Sequence, residues 1–418
     1  MKAMRNLGPD VRDSLRESDF DCRREDGRYV SSLAFAMAQL RRMKPAYSFD
    51  DIADASELPV WREKVRAKLK ELLQIGDGHV RPFRLVSEQP RDGYRLRRYE
   101  FHPEDGLAVQ ILALVPESTI ESGTRVPAVV CLPGSGASLA SLAGEPDACA
   151  NHFPLRNRQA WFYAKAGMVA VAMENPATAE NGVPGVNHYV AQQQFARLMA
   201  LAGRSVWGFM VEQVLETVDF LRRSPHVDPA RIAVSGMSLG CIPALYTAVL
   251  SNDIAAVVYN DWVGSWALTA MAQTRDVGGA VDARRPFGFY RWFDDEPDLM
   301  AAIAPRPMLF AEGGIWKRGI EKVKRAYALA GAGDRLAVRY YAKYADPASR
   351  RHDGEDLKEA RGLTDAQLME FANVDAPQHS FHPEINVPWL SEVFFGHAGL
   401  PPELEKSIKD SVAAPGAW

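Results

Sequence analysis

Six short apolar runs separated by helix-length stretches constrain this 418-residue chain more than any other feature. They are Pro127–Leu132, Met168–Met173, Ile232–Val234, Ile254–Tyr259, Pro307–Phe310 and Leu336–Tyr341. Each has only strand length and little alternation, the pattern of a strand covered on both faces. Between them the spacing predicts helices over about Gly203–Arg223, Cys241–Leu250 and Ile320–Ala330. Such alternation specifies an α/β fold, a mostly parallel sheet with helices on both sides. Three earlier strand-like segments, Val80–Val86, Tyr94–His102 and Leu107–Val115, read as an antiparallel meander, so the sheet is mixed. Ahead of them, residues 1–78 read as a helical extension, with apolar positions at helical spacing in Tyr29–Arg42 and Leu58–Leu73. The main domain is expected at 79–400 and a C-terminal tail at 401–418. Insertions near 262–302 and 343–373 exceed simple connections, and segments of that length usually lie over a site.

Composition narrows the partners. The chain is 47% hydrophobic and 24% charged, within the ordinary globular range. Lys and Arg number 49 against 53 Asp and Glu, a formal charge of −4 without long runs of one sign, which argues against a nucleic-acid partner. No stretch nears the roughly 20 apolar residues of a membrane span, and the polar first 28 residues do not read as a secretory signal. The expectation is a cytoplasmic protein without a membrane partner, although a chain already cut from its leader would read the same. Oligomeric state stays open, a homodimer included. Cys131 and Cys241 fall in apolar stretches, and with Cys22 and Cys149 they form neither a disulfide framework nor a metal finger. His379-x-x-His382 lacks the spacing and central Glu of a zinc helix, so no metal and no cofactor is expected.

Chemistry concentrates at Gly236-Met237-Ser238-Leu239-Gly240, between an apolar run and a helix. A G-x-S-x-G in that setting puts serine in a tight turn where side chains two residues away on either side would collide with the strand and helix. The turn raises the hydroxyl above the sheet, and the helix that follows points its positive end at developing negative charge. Ser238 is thus the candidate nucleophile. Leu239 supplies one backbone N–H for an oxyanion, and the Gly-rich loop after Leu132 supplies another through Ser135 or Gly136. A base must come later in the chain. His379 and His382, ahead of a closing helix at Val387–Phe395, both suit, and spacing does not separate them.

At these residues the chain resembles the α/β-hydrolase superfamily, in its branch of dienelactone-hydrolase-like, acetyl-xylan-esterase-like and prolyl-oligopeptidase-like proteins. The resemblance spans about 80–396. It is carried by Leu132-Pro-Gly-Ser-Gly136, Gly203-Arg-Ser205 through Val218-Asp-Phe-Leu221, Val227-Asp-Pro-Ala-Arg-Ile232, the Ser238 elbow, Ala304-Pro-Arg-Pro307 and His379-Ser-Phe-His382. It implies the α/β-hydrolase fold and favours His379 as the base. Two departures stand out: Pro133-Gly134 replaces the usual His-Gly, and the aspartate common after the fifth run is missing. Glu312 at the end of that run is the candidate acid, and Asp261 after the fourth is the alternative. Arg204 is a candidate carboxylate clamp or a structural pin. Trp262 and Trp266 open an aromatic insertion that would form either a substrate pocket or a self-packed cap.

The resemblance implies a serine hydrolase that cleaves a small carboxylic ester through an acyl-enzyme, without a cofactor. Cleavage of an amide or a C–C bond on the same fold is the alternative. A non-catalytic scaffold with a decayed triad is the third reading, supported only by the missing aspartate.

Overall fold

A computed structural model describes residues 24–76 (except 33–34, 37–38 and 40–41), 81–146, 154–260, 285–312, 317–340 and 379–414. A nine-stranded sheet runs through them in the order β1-β2-β3-β5-β4-β6-β7-β8-β9. Strands β1 (Arg84–Arg91), β2 (Tyr94–Phe101) and β3 (Val109–Pro116) form the expected meander, and β3 pairs antiparallel with β5 (Val169–Ala172). From there the sheet is parallel through β4 (Val126–Leu132), β6 (Val227–Met237), β7 (Ala256–Asn260), β8 (Met308–Glu312) and β9 (Leu336–Tyr340). All six apolar runs are strands of this sheet.

Register decides where a site can form. Leu132 pairs with Gly236, Met237 with Asn260, and Asn260 with Ala311. The carboxyl ends of β4, β6, β7 and β8 therefore lie level, and the loops after them leave along one edge. After β4 the chain moves to β5 on one side and then returns to β6 on the other. This reversal is the topological switch point at which open α/β sheets leave a crevice.

Alternating residues of β4 feed two cores. Ala128, Val130 and Leu132 face one, and Val129 and Cys131 face the other. On the second face lie α2 (Leu139–Ala143), α3 (Gln159–Lys165), α9 (Pro383–Phe395) and α10 (Pro402–Ala413). The stretch expected as a tail thus carries a packed helix, with Leu404 and Ile408 buried. On the first face lie α5 (Val206–Arg223), α6 (Cys241–Leu250), α7 (Glu296–Ile303) and α8 (Lys317–Leu329). An unforeseen helix, α4 (His188–Leu201), precedes α5. The long helix expected from Gly203 starts at Val206, because the Ser205 side chain accepts the Gly208 N–H and caps it. No described helix is long and apolar enough to cross a membrane.

The N-terminal extension is part of the first core. Helix α1 (Leu58–Leu73) buries Leu58, Trp61, Val65, Leu69 and Leu73, a stripe at helical spacing, against α5 and α6. Its end is left-handed at Gln74, whose amide donates to Gly203 O and accepts from Ser205 N at 2.7 Å. Upstream, Phe49 N donates to Asp298 Oδ1 at 2.8 Å. Lys322 Nζ reaches Asp50, Asp294 and Asp298 at 2.9, 2.8 and 3.2 Å. Residues 47–75 therefore form an outer layer over the helices of one face.

The tightest contact in that layer is backbone to backbone. A Cβ at Gly208 of α5 would lie 1.8 Å from Leu73 O, so only glycine permits this approach. Gly208→Ala must force α1 away from α5. The expected loss is about 3 kcal/mol or more of unfolding free energy, read as a lower urea midpoint. An unchanged midpoint would show that α1 contributes little to the fold.

Candidate functional site

β6 runs straight into the elbow. Ser238 has φ +52°, a left-handed value that costs a residue other than glycine about 1–3 kcal/mol. The packing around it imposes that value. A Cβ at Gly240 would fall 2.1 Å from Leu132 O, and one at Gly236 would fall 2.5 Å from Gly240 O. The chain must turn within one residue, and helix α6 then starts at Cys241 with its N-terminus toward Ser238. The serine is buried, with 6% of its surface exposed.

The loop after β4 lies beside it. A Cβ at Gly134 would come within 3.4 Å of Ser238 Cβ and 2.8 Å of Met237 Sδ. Gly136 has φ +81° and faces the imidazole of His188, which a Cβ there would meet at 2.8 Å. Ser135 and Gly136 are therefore on the edge occupied by Ser238 and Leu239. From the far end of the chain His379 arrives, its Nε2 2.7 Å from Ser238 Oγ. His382 is turned elsewhere: it is buried, and its Nδ1 lies 2.9 Å from Glu384 Oε1. Burial raises the Glu384 carboxyl, yet the hydrogen bond from His382 holds it below its usual range overall.

The other candidates separate. Glu312 ends β8 in register with Tyr340, at the carboxyl edge of the sheet. Asp261, Trp262 and Trp266 lie outside the described residues, as does most of both long insertions. Within the described part of the first insertion, Phe289 and Phe293 are buried in the core near Tyr246 of α6. Arg204 is taken by Glu104 in a two-pronged ion pair at 2.7 and 2.8 Å, which is a pinning contact.

The family model whose description is "Abhydrolase family" matches residues 16–392. The chain belongs to the Abhydrolase family. A crystal structure from Bacteroides fragilis NCTC 9343, provisionally named an acetyl xylan esterase, is 30% identical. It superposes with a TM-score of 0.78 over 93% of this chain and 99% of that one. A Bacillus subtilis (strain 168) protein provisionally named a hydrolase, YtaP, is 26% identical over 195 residues. That match covers 41% of this chain and 62% of the Bacillus protein, less than two thirds of its length. Family and fold together make the chain an α/β-hydrolase.

Sequence reasoning missed the residues that hold this Abhydrolase site in shape. Asn260, the last residue of β7, is fully buried. Its Nδ2 donates to Ser380 O at 3.1 Å, and its Oδ1 accepts from His382 N at 2.9 Å and from the Asn386 amide. Asn157 Oδ1 accepts from Phe381 N at 2.7 Å, and Arg156 reaches Ser380 Oγ. The backbone just after His379 is thus held from two directions. On the other side Asn175, just past β5, donates from Nδ2 to Pro133 O and Gly134 O at 3.1 and 3.0 Å. Its neighbour Glu174 accepts from Leu139 N at 2.8 Å and Asn181 N at 3.2 Å, bracketing the same loop. The available signal was position, since Glu174-Asn175 follows an apolar run as Pro133-Gly134 does.

Three outcomes follow. Asn260→Ala removes a buried partner from both the Ser380 carbonyl and the His382 N–H, so unfolding free energy falls by about 3 kcal/mol in urea titration. Lys324→Ala on the exposed face of α8 should change it by less than about 0.5 kcal/mol. Burial pushes the Glu174 carboxyl up to about 7, although three backbone N–H groups, those of Leu139, Asn181 and Glu180, oppose the rise. A folded value above the free one means that the native state binds a proton between about pH 4.5 and 7 that the unfolded chain has released. Stability from this group is therefore lost as pH rises through that window. Glu174→Gln should shrink the difference in unfolding free energy between pH 5 and pH 7 by on the order of 2–3 kcal/mol, and an unaltered slope would assign it to other groups.

Proposed function

We propose that the chain is a serine hydrolase of carboxylic esters acting through an acyl-enzyme. The observation that carries this reading is the 2.7 Å contact between His379 Nε2 and the oxygen of a serine held at φ +52°. With the proton on Nδ1, Nε2 accepts the Ser238 proton as Oγ bonds to the ester carbonyl carbon. The imidazolium then returns that proton to the departing alcohol oxygen as the C–O bond breaks. Water repeats the cycle on the acyl-enzyme, losing a proton to His379 and releasing the acid and Ser238. Glu312 or Asp261 orients the imidazole and stabilises its charged form. The N–H groups of Leu239 and of Ser135 or Gly136 receive the oxyanion, in a setting where the α6 dipole favours negative charge. The name of the Bacteroides relative makes acetyl esters of carbohydrates the first substrates to offer.

The test combines fluorophosphonate labelling, mapped by peptide, with turnover of short acyl esters, amides and diketones. Label should sit on Ser238, vanish in Ser238→Ala and weaken in His379→Ala, with ester turnover falling by about 10³–10⁶-fold in each. Of Glu312→Gln and Asp261→Asn, the variant that loses about 10⁴-fold in kcat identifies the orienting acid. Undiminished ester turnover in Ser238→Ala overturns the reading. Faster turnover of amides or diketones moves the reaction to the alternative bond.

A further inference from the structure

A small pocket of about 20 Å³, room for one water-sized group, abuts Leu239, the residue after Ser238. Phe195 of α4 and Trp207 and Met210 of α5 give it apolar walls, and Asn175 and Gln192 complete it. Those two amides are 1% and 7% exposed. The Asn175 amide has a fixed orientation, because its Nδ2 donates to two carbonyls. Its Oδ1 is consequently an acceptor, and it is buried without a hydrogen-bond partner among the described residues. Gln192 Nε2 is likewise buried and unpartnered. One turn earlier on α4, His188 lies against Gly136 of the loop beside Ser238, and its Nε2 also lacks a partner. Buried polar groups are nearly always satisfied, so two orphans lining one small space next to the nucleophile point to a group that arrives from outside. An apolar moiety would leave each of them unmet. A hydroxyl, which both donates and accepts, matches an acceptor fixed at Asn175 and an amide at Gln192.

We infer that this pocket is a subsite for a hydroxyl carried by the ester close to its scissile bond, with Asn175 Oδ1 accepting from it and Gln192 donating to it. The inference rests on the serine-hydrolase reading and adds a specificity to it. The hydroxyl has two sources, the acyl chain or the alcohol, and isosteric pairs separate them. Ethyl glycolate is compared with ethyl propionate, and 2-hydroxyethyl acetate with propyl acetate, by pH-stat on wild type and on Gln192→Met. Asn175 is left intact in this test because it also holds the Pro133-Gly134 loop.

Wild type should favour the hydroxylated member of one pair by about tenfold or more in kcat/KM, the worth of one neutral hydrogen bond at its upper end. The favoured pair names the source. Gln192→Met should erase most of that preference while changing the apolar ester by less than about threefold. The quantity is a ratio within one enzyme, so a reduced yield of folded protein cancels, and Gln192→Leu gives a second reading. Equal rates in both pairs, or a preference that Gln192→Met and Gln192→Leu leave intact, overturn the subsite and assign the amides to an ordered water. Fluorophosphonate labelling of Ser238 runs beside the kinetics. Labelling without a hydroxyl preference overturns the subsite alone. Absence of both labelling and turnover overturns the hydrolase reading and the subsite with it.

Discussion

The closeness of two backbones organises this site. The end of β4 excludes a side chain on Gly240, the start of α6 excludes one on Gly236, and the chain between them has nowhere to turn except through Ser238. The left-handed conformation of Ser238 is the result, and the parallel ladder between β4 and β6 holds it there. The same approach brings the loop after β4 alongside Ser238 and sets the start of α6 beneath it. Loosening that contact would cost the serine its angle, its neighbours and the helix terminus together.

Around this rigid centre the arrangement depends on buried amides. Asn260, Asn175 and Asn157 each hold loop backbone with a side chain that offers both a donor and an acceptor. Backbone that leaves a sheet edge and stays buried has lost its ladder partners, and it needs others. A carboxylate could only accept and would bring charge into a dry interior, whereas an amide satisfies N–H and C=O groups without it. Histidine 379 belongs to a segment 119 residues downstream of Asn260, so these contacts convert a remote stretch of chain into a fixed neighbour of Ser238.

The sheet was readable because its signal is repeated. Six runs of buried-strand length and three alternating ones specify nine strands, and the elbow glycines mark a turn that a β-carbon would block. Of the two histidines, spacing alone left both open; the distinction came from resemblance, and in the structure Ser380, Phe381 and His382 are anchored so that His379 faces Ser238. Helix α4 was missed because Gly182, Pro184 and Gly185 just before it read as loop, and its buried face mixes Gln192 with Ala191, Ala196 and Met199. The supporting amides left no pattern, since a buried asparagine is recognisable only by what folds around it. Arg204 shows the converse: its partner Glu104 lies 100 residues away, and nothing local announces the pair.

The outer layer formed by residues 47–75 has a consequence for synthesis. Phe49 closes on Asp298 across 249 residues, and Ser48 meets Lys322 across 274. At about 5–20 residues per second, roughly 12–50 s pass between the emergence of Phe49 and that of its partner. Helix α1 leaves the ribosome early with Trp61, Val65, Leu69 and Leu73 on one side, and the surface meant to cover them does not yet exist. Until α5 and α6 have followed, the amphipathic stripe is open to whatever binds nascent apolar helices, and the middle of the chain decides when this helix is buried.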